Sequence, residues 1–396
     1  MPASESPEAL RQALVNTLRE KGELTDARVE SAFLTIPRHL FVPELPLDKA
    51  YADEAVPIKR DSSGMVLSSS SQPSMMALML RQLRLHPGDN VLEIGAGTGY
   101  NAAVMQYLVG DSGHVTAIEL DKELAREASD HLQRASMGNV QVVHADGAMG
   151  YAPRASYDRI IATVGVWDVP EAWVRQLKPN GILVAPIWLE AFQVSAAFTA
   201  QADGTLFSSS NLPCGFIHLR GVAAGPPVYM RVGSTPLTLA SNAVGQLDSA
   251  ALQMLLSYDY ETSYLNIPLK SSDYWHGFLP YLVLNIPEGY TFAIYGVDED
   301  QQIYGLSGHG FALLAHGSAC FVPYQGQGEV HGFGGADAFM ALQERLDGWD
   351  GAGRPGSRSL RLRLIPRSQP TPNVSEGRLY TRQDHYLHGW LARPND

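Results

Sequence analysis

The chain has 396 residues, 45% of them hydrophobic and 18% charged, and a formal net charge of −12. That apolar share excludes a disordered chain and supports a full core, and at about 150 residues per domain the length predicts two or three domains. The acidic balance disfavours phosphate backbones, so no nucleic-acid partner is expected. No run approaches the ~20 apolar residues that span a bilayer, so no membrane partner is expected either. The start, Met1-Pro2-Ala3-Ser4-Glu5, lacks the apolar stretch of a signal peptide. Cys214 and Cys320 are too few for a disulfide framework and fit a cytoplasmic protein. Histidines and cysteines show no metal-ligand spacing, so no metal is expected. The oligomeric state is left open.

Residues 7–35 predict helices, with Leu10, Leu14 and Leu18 on one face and Val29, Ala32 and Phe33 on another. Pro37 ends that pattern. Residues 38–73 read as irregular, and Met75 to Leu83 as an apolar helix. After Pro87-Gly88 strands and helices alternate. Strands are expected at 91–94, 115–118, 140–143, 160–162 and 181–185, and helices at 100–108, 122–135 and 170–177. This alternation predicts an α/β fold, doubly wound and Rossmann-like, with a parallel sheet covered on both faces. The regime changes around Gly225-Pro226-Pro227 and Ser234-Thr235-Pro236. A first domain is therefore placed at 1–230 and a smaller α+β domain at 240–396, separable from cofactor binding. Residues 256–304 of the second hold 8 of the 17 tyrosines. Strands are expected there at 281–286, 290–297 and 302–306, with the turn Asp298–Gln301 joining the last two. A helix is expected at 336–346, and the alternation of Leu360, Leu362 and Leu364 marks a strand.

Glu93-Ile94-Gly95-Ala96-Gly97-Thr98-Gly99-Tyr100 follows a strand and opens a helix. Glycines there allow a sharp turn and close approach to a ligand, and the helix start adds N–H donors. Glu119 ends the next strand, placed to accept from ribose hydroxyls. Such a loop serves either a dinucleotide or S-adenosylmethionine. The spacing is G-x-G-x-G rather than the G-x-G-x-x-G of a pyrophosphate loop. Glu93 precedes the loop, facing the cationic part of a ligand, and Asp146 ends the third strand, suited to an adenine amine. A sulfonium cofactor suits a carboxylate-rich site and a pyrophosphate does not, which favours S-adenosylmethionine.

Further segments carry a resemblance. Ile36-Pro37-Arg38-His39-Leu40-Phe41-Val42-Pro43, Tyr51-Ala52-Asp53-Glu54-Ala55-Val56-Pro57-Ile58, Ser69-Ser70-Ser71-Gln72-Pro73, Val91 to Tyr100, Tyr157-Asp158-Arg159-Ile160-Ile161-Ala162-Thr163 and Gln176-Leu177-Lys178-Pro179-Asn180-Gly181 occur in this order. Together they resemble the protein-L-isoaspartate (D-aspartate) O-methyltransferases, over roughly residues 25–220. The resemblance implies a methyltransferase using S-adenosylmethionine, with S-adenosylhomocysteine as product. Its cofactor residues would be Gln72, Glu93, Gly95, Ala96, Gly97, Thr98, Gly99, Tyr100, Asn101, Glu119, Leu120, Asp146, Gly147 and Thr163. Substrate contacts would come from Arg38, His39, Val166 and Trp167.

Ten residues, 59–68, separate Pro57-Ile58 from the serine motif where the family has about four, so an altered substrate lip is expected. The serine run and the long C-terminal region resemble a subgroup that acts on ribosomally made, lanthipeptide-like peptides. There the partner is a modified precursor peptide, and methylation of one Asp leads to aspartimide and on to isoaspartate. The alternative is a general isoaspartate-repair enzyme. Either nucleophile is a carboxylate already ionised at pH 7, so the site must orient and desolvate it rather than deprotonate it. Short hydroxyls suit this, which points to Ser71 first, then Ser69, with Ser68 and Ser70 lining the pocket.

Overall fold

In a computed structural model of the chain, the described residues are 6–62, 64–298 and 300–393. Met1–Glu5, and Glu299 of the expected 298–301 turn, lie outside them. No helix of the described residues is long and apolar enough to cross a membrane.

A ten-stranded sheet runs in the order Gln141–His144, His114–Glu119, Asn90–Ile94, Tyr157–Ala162, Leu177–Trp188, Gln193–Ala200, Leu206–Cys214, Leu360–Pro366, His385–Leu391, Arg378–Thr381. Its first five strands are parallel and the rest antiparallel. The helices between the parallel strands fall where the apolar periodicity puts them. Lys122–Arg134 buries Leu124, Ala128 and Leu132, and the Asp121 carboxylate caps it by accepting from the N–H groups of Glu123 and Leu124. The predicted α/β, Rossmann-like architecture is therefore present. Strand Asn90–Ile94 has Glu119's strand on one side and Thr163's on the other. Strand order reverses there, which opens a crevice beyond its carboxyl end.

A second, seven-stranded antiparallel sheet runs Tyr229–Arg231, Leu237–Ala240, Thr291–Val297, His309–Ala315, Ser318–Pro323, Glu329–Gly334, Glu261–Tyr264. The helix Asp337–Gly351 packs on it, burying Leu342, Leu346 and Trp349. One apolar core runs from Ile187 and Phe198 of the first sheet through Leu279 and Leu282 to Phe311 of the second.

Several expectations are corrected. Residues 360–391 do not belong to a separate domain from 240 onward: they add three strands to the first sheet, because Asn211 and its strand offer a free edge that Leu360–Pro366 pairs. Tyr229 and Met230, assigned to the first domain, belong to Tyr229–Arg231, the edge strand of the second sheet. Residues 281–284 end a helix, Leu279–Leu284, that continues from the helical turn Tyr274–Phe278, and 281–286 hold no strand. Gln302–Leu306 is a turn region closed by a single Ile303–Leu306 bridge. Within 38–73, Val56–Arg60 and Val66–Ser70 pair as an antiparallel hairpin, so three of the four serines lie on a strand.

Candidate active site

The glycine loop closes tightly. Gly95 has φ +95°, and a side chain there would meet Thr163 Oγ1 at 3.0 Å and Val164 Cγ1 at 3.1 Å. Thr163 ties the loop to the neighbouring strand by donating its hydroxyl to Gly95 O at 2.7 Å. Gly99 has φ +84°, with Ala128 O 3.2 Å from any added Cβ, so helix 122–134 packs directly on the loop.

The serine hairpin lies across this loop. A Cβ on Gly97 would stand 3.6 Å from Ser69 O and 3.9 Å from Ser68 Oγ. Two anchors hold the hairpin. Lys59 Nζ bonds Asp121 at 2.7 Å and Glu123 at 3.0 Å, which holds the Asp121 carboxyl below its usual range. At the other end Arg38, wholly buried, donates to Ser71 O at 2.9 Å and lies over the Tyr100 ring, 5.4 Å from its centroid.

Between loop and hairpin is a cleft with about 770 Å³ of atom-free space, its open mouth included. It brings together Ser68, Ser69, Ser70, Ser71, Glu93, Gly95, Ala96, Gly97, Thr98, Tyr100, Asn101, Glu119, Leu120, Gly147 and Thr163. Leu67, Met76, Ile94, Ile118, Val164 and the segment Ile217 to Arg220 complete the lining. The sequence reading missed that segment because it carries no motif. Its place is set by the N–H of Gly165 donating to Ile217 O at 2.7 Å, and by Asp146.

Other expected site residues lie outside that lining. Asp146 stands outside the lining; its two oxygens accept from the N–H groups of Ala148 and Val222, each at 2.9 Å. It clamps the closing segment where an adenine contact was expected. Gln72 donates to Asp53 O at 3.0 Å and anchors the start of helix Pro73–Leu83. Gly99 shapes the loop from behind. Arg38 holds the hairpin from within the core. His39 is bonded to the Tyr51 hydroxyl at 2.8 Å, away from the cleft. Val166 is buried, and Trp167 lies under Arg382, whose guanidinium carbon is 3.6 Å from a ring centroid. Trp167 supports the C-terminal strands, helped by Asp168, which bonds His385 Nδ1 at 2.9 Å and accepts from the N–H of Asp384.

Glu93 dominates the electrostatics. It is fully buried; Oε1 accepts from Asn101 Nδ2 at 2.7 Å, while Oε2 has no partner among the described residues. Burial, with the nearby Glu119 charge adding to it, pushes its carboxyl up to about 8. An orphaned buried oxygen is costly unless a donor or cation joins it. Glu119 is already engaged, accepting from the N–H of Gly97 at 3.0 Å and of Asp121 at 3.0 Å; a carboxylate retains lone pairs for further donors. The donor set therefore fits a cationic, hydroxyl-bearing nucleoside and not a pyrophosphate.

A Rossmann-like sheet with an acid-lined cradle at its order reversal defines a methyltransferase that uses S-adenosylmethionine. Comparison with known proteins specifies the family: the protein-L-isoaspartate(D-aspartate) O-methyltransferase (PCMT) profile matches residues 9–223, and the chain belongs to that family. It is similar to the protein-L-isoaspartate O-methyltransferase of Methanopyrus kandleri, 40% identical over 53% of this chain and 91% of that protein. The enzyme of the same description from Ignicoccus hospitalis is 39% identical over 54% of this chain and 98% of that one. A solved structure described as a protein-L-isoaspartate O-methyltransferase matches at 27% identity and TM-score 0.51, covering 89% of this chain and 96% of its own. That coverage extends well beyond residue 223, so a large C-terminal addition also occurs in a protein of the plain isoaspartate description. The addition therefore does not by itself favour a peptide-tailoring role.

Proposed function

We propose that this chain methylates the free carboxylate of isoaspartyl residues in damaged proteins and peptides. The observation that carries this is the seating of the serine hairpin on the glycine loop, which puts Ser68 to Ser71 and the unpaired oxygen of Glu93 on one cleft. Bound S-adenosylmethionine supplies an electrophilic methyl group for in-line displacement by a carboxylate oxygen. Glu93 and Glu119 hold the cofactor's cationic and hydroxyl groups. The serine hydroxyls orient the attacking carboxylate without a lasting ion pair, which would blunt it. Hairpin and closing segment exclude water, raising the oxygen's reactivity. Ring closure of the resulting ester to the imide needs no further group from the chain.

The extended hairpin, Val56–Ser70, supports a second reading in which the substrate is one Asp of a constrained, modified precursor peptide, with aspartimide as the outcome. Methyl-labelled cofactor with a linear isoaspartyl peptide, its aspartyl twin and a cyclised aspartyl peptide separates the two. Labelling of the isoaspartyl peptide alone is expected; labelling of the cyclised aspartyl peptide alone would overturn the repair reading. Ser71→Ala is expected to lower kcat about 10²-fold, the size of effect of losing one orienting donor, with affinity for S-adenosylhomocysteine kept within about twofold. Unchanged kcat would remove Ser71 from this role.

A further inference from the structure

Beside the cofactor cleft lies a larger one, with about 1630 Å³ of atom-free space counted the same way. Leu67, Ile217, His218 and Arg220 wall both. The outer walls are the hairpin tip, with Met65 exposed, and the whole edge strand Tyr229–Arg231 of the second sheet. Four shared lining residues set this space beside the cavity where the methyl group is transferred, which suits it to the polypeptide attached to the methylated residue.

The charges in this cleft are uneven. Arg231 is paired with Asp298 at 3.1 Å. His218 lies between Trp188 and Tyr229, tilted to the first ring and edge-on to the second, and burial lowers its pKa. Arg220 is half-buried and, among the described residues, makes no hydrogen bond, ion pair or ring contact. A guanidinium without a counter-charge, in a chain of net charge −12, is a positive focus at the mouth of the methyl-transfer cavity.

We propose that Arg220 is a specificity-determining residue that selects substrates carrying a second carboxylate, an Asp or Glu side chain or a chain end, within a residue or two of the methylated position. The proposal rests on the isoaspartyl reading above. The test uses isoaspartyl peptides of one sequence with Glu, Gln or Lys placed one or two residues to either side, assayed at low and high salt. Wild type is expected to favour a Glu peptide over its Lys counterpart by about fivefold or more in kcat/KM, carried by KM and shrinking with salt. Arg220→Gln should erase the ordering and Arg220→Glu should reverse it. An ordering that survives Arg220→Glu overturns the proposal. So does an Arg220→Glu variant that loses affinity for S-adenosylhomocysteine while keeping the peptide ordering, since Arg220 would then serve the cofactor. Absence of turnover on every isoaspartyl peptide by the wild type would instead overturn the proposed function, and this inference with it.

Discussion

Glu93→Gln is expected to weaken S-adenosylmethionine binding about 10²-fold and, at the same time, to stabilise the ligand-free protein at pH 8. Both effects follow from one buried oxygen. The folded chain holds the Glu93 proton up to about pH 8, whereas the unfolded chain releases it near the ordinary value of 4.5. Between these limits the unfolded state binds fewer protons, so stability falls as pH rises from about 4.5 through about 8 and then levels. Gln has the same shape and no charge to desolvate. Its melting temperature should match wild type at acid pH and exceed it increasingly up to pH 8. The loss of affinity is what removing one partner of a buried charge pair costs, about 2–5 kcal/mol. Thermal melts across pH and calorimetry with the cofactor check both. Equal affinity would mean that the orphaned oxygen does not face the cofactor's cation.

Removing residues 358–396 is expected to abolish soluble, cofactor-binding protein altogether. An independent substrate module could be removed without loss of cofactor binding, but these residues are strands of the catalytic sheet. Leu360, Leu362, Leu364, Tyr380 and Leu387 are all buried. At about 2 kcal/mol each, their loss removes about 10 kcal/mol of apolar burial, as large as the whole stability of a typical domain. Deletion also leaves Leu206–Cys214 as an unpaired edge and strips the Asp168 carboxylate of His385 and Asp384. Soluble yield, circular dichroism and affinity for S-adenosylhomocysteine measure the outcome. A well-folded truncated chain with normal affinity would show that the tail strands merely decorate the sheet.

The parallel half of the molecule was legible because its signals are local. Val91 to Ile94, Gly95 to Gly99 and the 3.6-residue spacing of Leu124, Ala128 and Leu132 each name an element and its face without knowledge of the rest. The cofactor cradle followed from the same stretch. Serines 68 to 71 have weak strand preference, and only the pairing with Val56–Arg60 makes the segment extended. Leu279 to Leu284 is apolar throughout, so it had no periodicity to distinguish a buried helix from a buried strand. The alternation of Leu360, Leu362 and Leu364 identified a strand, but alternation tells which side faces the core, not which sheet supplies the neighbour. The partners of Asp146 and Trp167 were not legible for a related reason: Val222 and Arg382 lie 76 or more positions away and leave no trace nearby in the sequence.

The bond from Asn211 to Leu360 O spans 149 positions. During synthesis at about 5–20 residues per second, the strand carrying Asn211 has left the ribosome for many seconds before its partner is made. The second sheet, whose strands lie between them in the chain, can assemble in that interval. The catalytic half, although it comes first in the sequence, is therefore the last part to reach its final form, its margin at Leu206–Cys214 waiting for Leu360–Pro366.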